Sequence, residues 1–191
     1  MARCLAPYGM EAVMRTIGLV AILLAASTEV LAEDAATRKL VISIPDRKIV
    51  LFEDGRVVKV YPVAVGKQQT PSPNGTFHIA SHVQFPTWYG PGKVVKPGPA
   101  NPLGTRWMGL GYKGYGIHGT NAPLSIGKAA SHGCIRMRNH DVEELFNLVE
   151  VGDTVELVTA TTPELAKAFT GAPPTEPIQT ATLASAGGGA Q

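Results

Sequence analysis

Cysteine is almost absent from this sequence of 191 residues, which contains only Cys4 and Cys134. Cys4 precedes an apolar run near the N-terminus that we expect to be removed together with it, so the mature chain would carry one thiol. A single cysteine cannot form a disulfide within its own chain. In an exported protein, an unpaired thiol indicates chemistry or pairing with another chain. Cys134 is therefore the first candidate functional residue.

A long hydrophobic run is also missing. The apolar stretch from Ile17 to Ala26 spans about ten residues, whereas a transmembrane helix needs roughly 20. A basic residue precedes this stretch and Val30-Leu31-Ala32 follows it, which is the pattern of a secretory signal peptide. We expect residues 1–32 to be a signal peptide cleaved after Ala32, with Met10 and Met14 as alternative starts. The remaining 159 of the 191 residues are enough for one domain.

Acidic residues are absent from a long central stretch. No Asp or Glu occurs between Asp54 and Asp141, although an even spread of acidic residues would place roughly seven there. The stretch contains ten basic residues: Arg56, Lys59, Lys67, Lys93, Lys96, Arg106, Lys113, Lys128, Arg136 and Arg138. We expect this region to face an anionic partner, unless acidic side chains from the two ends fold back over it. The formal net charge of only +2 argues against general nucleic-acid binding.

Apolar and β-branched residues predict a β meander at the start of the domain. Residues 40–44, 49–52 and 57–65 each have the composition of a strand, and Asp54-Gly55 is a hairpin turn signal. Pro62 cannot donate to a ladder, so it marks a sheet edge or a bulge. A further strand is predicted over residues 76–83.

The C-terminal part is predicted to hold two short helices and a strand. Asn139 is placed to cap the first helix, and residues 151–158 form the strand. Thr162-Pro163 marks the start of a short helix within residues 161–171. Residues 172–191 are rich in proline, threonine, alanine and glycine, which cannot support a core, so we expect a disordered tail.

Residues 84–116 change character, because five prolines and several glycines surround the pairs Trp88-Tyr89 and Arg106-Trp107, which contain three aromatic residues. This composition predicts a long ordered loop. Loops of this length are uncommon in a compact domain unless they cover a site. Trp88, Tyr89 and Trp107 are therefore candidate substrate-binding residues, unless the tryptophans only pin the loop to the core.

The strongest chemical signal lies in Gly116–Thr120 and Ser131–Met137, which contain Cys134 and two histidines, His118 and His132. A cysteine nucleophile reacts as its thiolate, and an imidazole can take the thiol proton and return it to a leaving amine. His132 would share a face with Cys134 in an extended chain, and a loop can bring His118 to the sulfur. Both histidines are candidates.

Glycines beside these residues let the backbone approach a substrate. The amides of Gly133 and Cys134 are placed to form an oxyanion hole. A catalytic histidine also needs an acceptor that orients it, but no carboxylate lies between Asp54 and Cys134. The carbonyl of Gly119 is the economical choice, and a carboxylate from the helix after Asn139 is the alternative.

His118-Gly119-Thr120 and Ser131-His132-Gly133-Cys134-Ile135-Arg136-Met137 resemble the active-site signature of YkuD-type L,D-transpeptidases, in particular the periplasmic ErfK/YbiS-like members. The resemblance continues through residues 63–66, 70–77, 86–89 and 101–104 and covers most of residues 39–158. It implies a mainly β catalytic domain over residues 33–160, a YkuD-like sandwich or mixed sheet with one or two short helices.

The resemblance also implies roles. Cys134 would be the acyl-forming nucleophile and His118 the general base and acid, with the Gly119 carbonyl orienting His118. His132 and Gly133 would support the site. Arg136 and Ser131 are the motif's candidate substrate-binding residues, Arg136 for a substrate carboxylate.

The implied substrate is a tetrapeptide stem of peptidoglycan, attacked at its diamino-acid carbonyl with release of D-alanine. The resulting thioester would pass to another stem, giving a 3→3 cross-link, to a lysine of an outer-membrane lipoprotein, or to water. No cofactor is implied, the location would be the periplasm, and carbapenems would acylate Cys134 while most penicillins react poorly.

Three other interpretations remain. His118, His132 and Cys134 as zinc ligands lack a fourth ligand at standard spacing. A papain-type or other Cys-His wall hydrolase would end with water as the acceptor. A peptidoglycan-binding module without turnover would leave Cys134 as a buried spectator.

Overall fold

The computed structural model describes residues 37–170, and the predicted signal peptide and tail lie outside this range. The strands are β1 (Arg38–Ser43), β2 (Lys48–Glu53), β3 (Arg56–Pro62), β4 (Val65–Gly66), β5 (Gly75–His78), β6 (Ser81–Gln84), β7 (Trp88–Gly90), β8 (Lys93–Val95), β9 (Arg106–Gly109), β10 (Gly116–His118), β11 (Ala129–Ser131), β12 (Ile135–Arg136) and β13 (Thr154–Val158). The helices are a short 3-10 helix (Pro123–Ser125), α1 (Asn139–Leu148) and α2 (Pro163–Phe169). Among residues 37–170, no helix is long and apolar enough to cross a membrane.

The larger sheet, which we call sheet A, has the strand order β3-β2-β1-β13-β5. Its first three strands form the predicted antiparallel meander, and β13 pairs with β1 in parallel. Asp54 and Gly55 have φ values of 49° and 74°, as the predicted tight hairpin turn requires. Pro62 ends β3 at the sheet edge, where no further strand from residues 37–170 needs its missing N–H. These sequence predictions are confirmed.

Sheet B has the order β12-β10-β9-β6, and two further pairs, β4 with β11 and β7 with β8, form small separate sheets. The single strand predicted over residues 76–83 is wrong, since the chain turns at Ile79 and Ala80 and passes from β5 in sheet A to β6 in sheet B. The single loop predicted over residues 84–116 is also wrong. That segment contains β7, β8 and β9, whose three or four residues are too short to produce a periodic pattern.

The main core lies where the two sheets and α1 meet. It combines Leu40 and Ile42 of β1, Met108 of β9, Ile117 of β10 and Leu145 of α1, each fully buried. Burying one such side chain contributes about 1.5–3 kcal/mol. A second cluster joins the other face of β1 and β2 to Leu165 and Ala168 of α2. The site described below is therefore carried by a well-packed sheet.

The sequence predicted the N-terminal cap of α2 correctly, but not that of α1. Thr162 accepts a hydrogen bond from the Leu165 amide at 3.2 Å, and Pro163 opens α2, as predicted. Asn139 was expected to cap α1, but it is the first helical residue and Arg138 holds the cap position. The Asn139 side chain instead accepts a hydrogen bond from the backbone amide of Thr120 at 3.0 Å.

Candidate active site

Sheet B brings Cys134 and His118 to one face. His118 ends β10 and Cys134 immediately precedes β12, and these strands are parallel neighbours with Ile117 opposite Ile135 and His118 opposite Arg136. Ile117 and Ile135 point into the core. Because side chains alternate along a strand, His118, Cys134 and Arg136 share the opposite face of the sheet.

The His118 ring is held in one orientation. It is only 4 % exposed and stacks on Trp107, with ring centroids 5.7 Å apart and planes 25° apart. Its Nδ1 lies 2.6 Å from the carbonyl oxygen of Gly119. A carbonyl can only accept, so Nδ1 carries the proton and Nε2 carries the lone pair. This is the arrangement expected of Gly119.

Burial lowers the pKa of His118 to about 4, because the protonated ring would lose its hydration. The carbonyls of Gly119 and Leu103 oppose this shift, and the positive charge of Arg136 adds to it. The ring is therefore neutral at pH 7. A neutral imidazole with a free lone pair is the form that can accept a proton.

Cys134 is half-buried, and its thiol donates a hydrogen bond to the carbonyl of Gly114 at 3.3 Å. Burial raises the pKa of this thiol, while a hydrogen bond from the Gly116 backbone and the charge of Arg136 act in the opposite direction. Within residues 37–170, no hydrogen bond joins the sulfur to the His118 ring. The resting site thus has a neutral thiol and a neutral imidazole on the same face of sheet B.

The turn before Cys134 is fixed by Ser131, which is 1 % exposed. Its hydroxyl accepts from the Gly133 amide at 3.0 Å and donates to the Cys134 carbonyl at 2.6 Å. Gly133 has a φ of 111°, and a Cβ there would collide with the Tyr115 ring. Ser131 therefore holds the turn and offers no exposed contact to a substrate. The Gly133 amide already has an internal acceptor, unlike the free donor expected of an oxyanion hole.

The other predicted site residues are spread more widely. Trp107 packs on the His118 ring, and its predicted substrate contact stays a prediction. Trp88 and Tyr89 lie on β7, which pairs only with β8 among the described strands, and Tyr89 is 77 % exposed. Their substrate role stays a prediction. His132 is exposed, next to the buried Ser131 and Gly133.

Most basic side chains of the acid-free stretch make no ion pair with residues in the described range. Lys59 pairs with Glu144 at 2.6 Å and Arg138 lies 3.9 Å from Asp141, whereas the other eight have no acidic partner among residues 37–170. In this part of the chain, acidic side chains therefore do not cover the basic stretch. Residues 37–170 also contain no group of three or more His, Cys, Asp or Glu side chains placed to hold a metal ion.

Within residues 84–116, the sequence interpretation did not single out residues 111–116, which lie against the nucleophile. Gly114 accepts the thiol hydrogen bond, Gly116 donates towards the sulfur, and Tyr115 packs on Gly133. Three glycines within residues 111–116, two positions before His118, were the available signal. The contact of Asn139 with Thr120 was also missed, because its partner lies 19 residues away on another element.

The sequence profile of the YkuD L,D-transpeptidase catalytic domain matches residues 37–157. This chain belongs to the YkuD family. The resemblance inferred from the His118 and Cys134 segments, and the mainly β fold that it implies, are confirmed by this match and by the strands of sheets A and B.

Individual members of the family show the same relationship. The chain is 42 % identical over 124 residues to YkuD of Bacillus licheniformis, covering 65 % of this chain and 67 % of that protein. It is 33 % identical over 141 residues to YbiS of Escherichia coli, covering 65 % and 46 %. Both relatives are assigned as L,D-transpeptidases. An L,D-transpeptidase structure from Mycobacterium smegmatis shares the fold, with a TM-score of 0.55 at 22 % identity over 65 % of this chain and 59 % of that one.

Proposed function

We propose that this YkuD-family protein is an L,D-transpeptidase that acts on peptidoglycan tetrapeptide stems, with Cys134 as nucleophile and His118 as general base and acid. The observation that carries the proposal is the shared face of β10 and β12. On this face, the Nδ1 proton of His118 is donated to the Gly119 carbonyl. The unprotonated Nε2 therefore lies on the same side of the sheet as the Cys134 thiol. The exposed His132 has no comparable anchor among the described residues.

The reaction would begin from the neutral pair. As the sulfur attacks the carbonyl carbon of the diamino-acid residue, the thiol proton passes to Nε2 of His118. The carbon–nitrogen bond to D-alanine then breaks, and His118 returns the proton to the leaving amine. The same steps in reverse, with an incoming amine, resolve the Cys134 thioester into the new amide.

The tetrahedral oxyanion needs donors near Cys134. The Gly133 amide is engaged by Ser131, so the amide of Cys134 itself is the better candidate. Arg136 supplies positive charge on the same face of the sheet and favours the thiolate. It is also the candidate ligand for a stem carboxylate, consistent with the eight basic residues that lack acidic partners among residues 37–170.

The first test is mass spectrometry of the products formed from a disaccharide-tetrapeptide by residues 33–191, beside Cys134→Ala. We expect dimers formed with loss of D-alanine, absent with the variant. Tripeptide monomers alone would instead assign carboxypeptidase activity, with water as the acceptor. Binding without any product would return the chain to the class of non-catalytic wall-binding modules.

The acceptor can be identified in the same assay. Adding a peptide that carries a lysine of an outer-membrane lipoprotein is expected to give a tripeptide–lysine conjugate if lipoprotein attachment is the activity. The competing result is a stem–stem dimer whose yield does not fall when the lysine peptide is added, which would favour 3→3 cross-linking. A periplasmic location, which the proposal requires, is checked by fractionating cells that express the full chain.

A carbapenem is expected to form a covalent adduct with Cys134, as the family resemblance implies. The β-lactam carbonyl would occupy the position of the stem carbonyl, and ring opening would leave the drug attached as a thioester. Intact mass measurement after treatment should show the added mass of one drug on the wild-type chain and none on Cys134→Ala. An unmodified wild-type mass, or an adduct on the variant, would count against Cys134 as the acylated residue.

A further inference from the structure

We propose that Asn139 is a positioning residue for His118, acting through the peptide group that joins Gly119 to Thr120. This inference rests on the proposed function, in which His118 serves Cys134 as a base. It assigns a part in that chemistry to the first residue of α1, which does not itself contact the His118 ring through any hydrogen bond among residues 37–170.

A single peptide group links the two side chains. Its carbonyl, from Gly119, accepts from His118 Nδ1 at 2.6 Å, and its N–H, from Thr120, donates to Asn139 Oδ1 at 3.0 Å. The peptide group is planar and trans, so its N–H and C=O point in opposite directions. Holding the N–H on Asn139 therefore fixes the direction of the carbonyl that orients His118.

The same link affects charge. A peptide whose N–H is engaged becomes more polarised, so its carbonyl becomes a stronger acceptor. When His118 takes the thiol proton, the ring becomes positive, and that acceptor stabilises it. In Ser-His-Asp triads a carboxylate performs this task directly. Here a chain of neutral groups, from Asn139 through the peptide to His118, would perform it.

The carboxylate alternative is not realised in the described residues. Asp141 is the buried carboxylate of α1, but its Oδ1 lies 2.7 Å from His140 Nε2, and neither of its oxygens makes a hydrogen bond to His118. The helix that was the alternative source of a carboxylate therefore supplies the amide oxygen of Asn139, one peptide group away from the ring.

The packing around the Asn139 side-chain amide supports its contact with Thr120. A Cβ added at Gly119 or at Gly104 would collide with Asn139 Oδ1, so both glycines leave room for this oxygen. The helix that carries Asn139 packs against β9 and β10. A side chain supported by a packed helix can hold the peptide in place more closely than one on a loop.

The test compares Asn139→Ala, which removes the acceptor, with Asn139→Asp, which keeps an oxygen in its place. Asn147→Ala is the matched control, because Asn147 is an exposed asparagine of the same helix without a side-chain hydrogen bond to residues 37–170. We expect Asn139→Ala to reduce kcat for thioester formation about ten- to a hundredfold with little change in KM. Asn139→Asp should retain a higher kcat than Asn139→Ala, and Asn147→Ala should match the wild type.

The pH profile separates positioning from a merely structural role. A carboxylate at position 139 would favour the protonated ring, so Asn139→Asp should move the acid limb of kcat/KM to higher pH than in the wild type. An unshifted limb together with a wild-type kcat for Asn139→Ala would overturn the proposal. If Asn139→Ala does not fold, the pH of the acid limb of kcat/KM in Asn139→Asp is the deciding measurement, and an unshifted limb there contradicts the proposal.

A measurement independent of activity completes the test. Side-chain ¹⁵N NMR of His118 in the Cys134→Ala background should show a proton on Nδ1, and a mixture of tautomers once Asn139→Ala is added. If the wild-type chain makes no thioester, the proposed function fails. The tautomer measurement still tests whether Asn139 orients His118. An unchanged tautomer in the Asn139→Ala chain would refute the positioning role even if the enzyme is active.

Discussion

Replacing Cys134 by alanine is expected to reduce release of D-alanine from a tetrapeptide stem by at least about 10⁴-fold, because removal of a covalent nucleophile has effects of this size. On the face that carries the site, neither His118 nor Arg136 can form a thioester. The measurement is the rate of D-alanine release with enzyme in excess over the stem, followed by mass spectrometry. A covalent intermediate should be trapped on the wild-type chain at early times and be absent from the variant.

The alanine variant should fold normally, which makes the result interpretable. The side chain is half-buried, and its one hydrogen bond within residues 37–170 is to the Gly114 carbonyl. We therefore expect an unchanged melting temperature and retained binding of the stem peptide. A variant with wild-type stability that still releases D-alanine at a comparable rate would show that another group is the nucleophile.

Replacing His118 by glutamine is expected to lower kcat/KM by about 10²–10⁴-fold, the usual contribution of a general acid–base group. The pKa of His118 is about 4, so in the wild type the ring is neutral above that value. Activity should fall as the pH drops through about 4 and be retained at neutral pH. In the variant, the thiolate must form by direct ionisation of a thiol whose pKa is raised. The rate should therefore rise about tenfold per pH unit below that pKa.

Two other histidines provide the comparison for this variant. His78→Gln changes an exposed residue of sheet A and should leave the pH profile unchanged. His132→Gln tests the competing base, and because His132 is exposed and lacks an orienting acceptor among residues 37–170, we expect a much smaller loss than for His118→Gln. A larger loss of kcat/KM for His132→Gln than for His118→Gln, together with a wild-type acid limb of the pH profile for His118→Gln, would assign His132 as the general base.

The sequence predicted the strands in which apolar side chains alternate with a period of two residues. β1 and β2 alternate buried side chains between the two faces of sheet A, and the turn at Asp54 and Gly55 has its own local signature. The strands of sheet B were harder, because β9, β10 and β12 contain between two and four residues. Such short strands are stabilised by pairing with neighbouring strands, and no local sequence pattern identifies them.

For the site, the sequence could identify reactive groups but not their hydrogen-bond partners. His118, Cys134 and the Gly119 carbonyl follow from residue types and from the family resemblance. The acceptor of the Gly133 amide depends on where the Ser131 hydroxyl points, and the cap position of α1 depends on where Thr120 lies. Both are set by tertiary packing, so the hydrogen bond of the Gly133 amide and the contact of Asn139 with Thr120 could not be predicted from the sequence.

The position of β13 bears on how the protein is made. This strand is the last of the described strands, yet it lies inside sheet A, between β1 and β5. During synthesis, β1 lacks its parallel neighbour until residues 154–158 have left the ribosome. Pairing the first strand with one more than a hundred residues later gives a high contact order, which slows folding. A nascent chain therefore cannot complete sheet A until β13 has been translated.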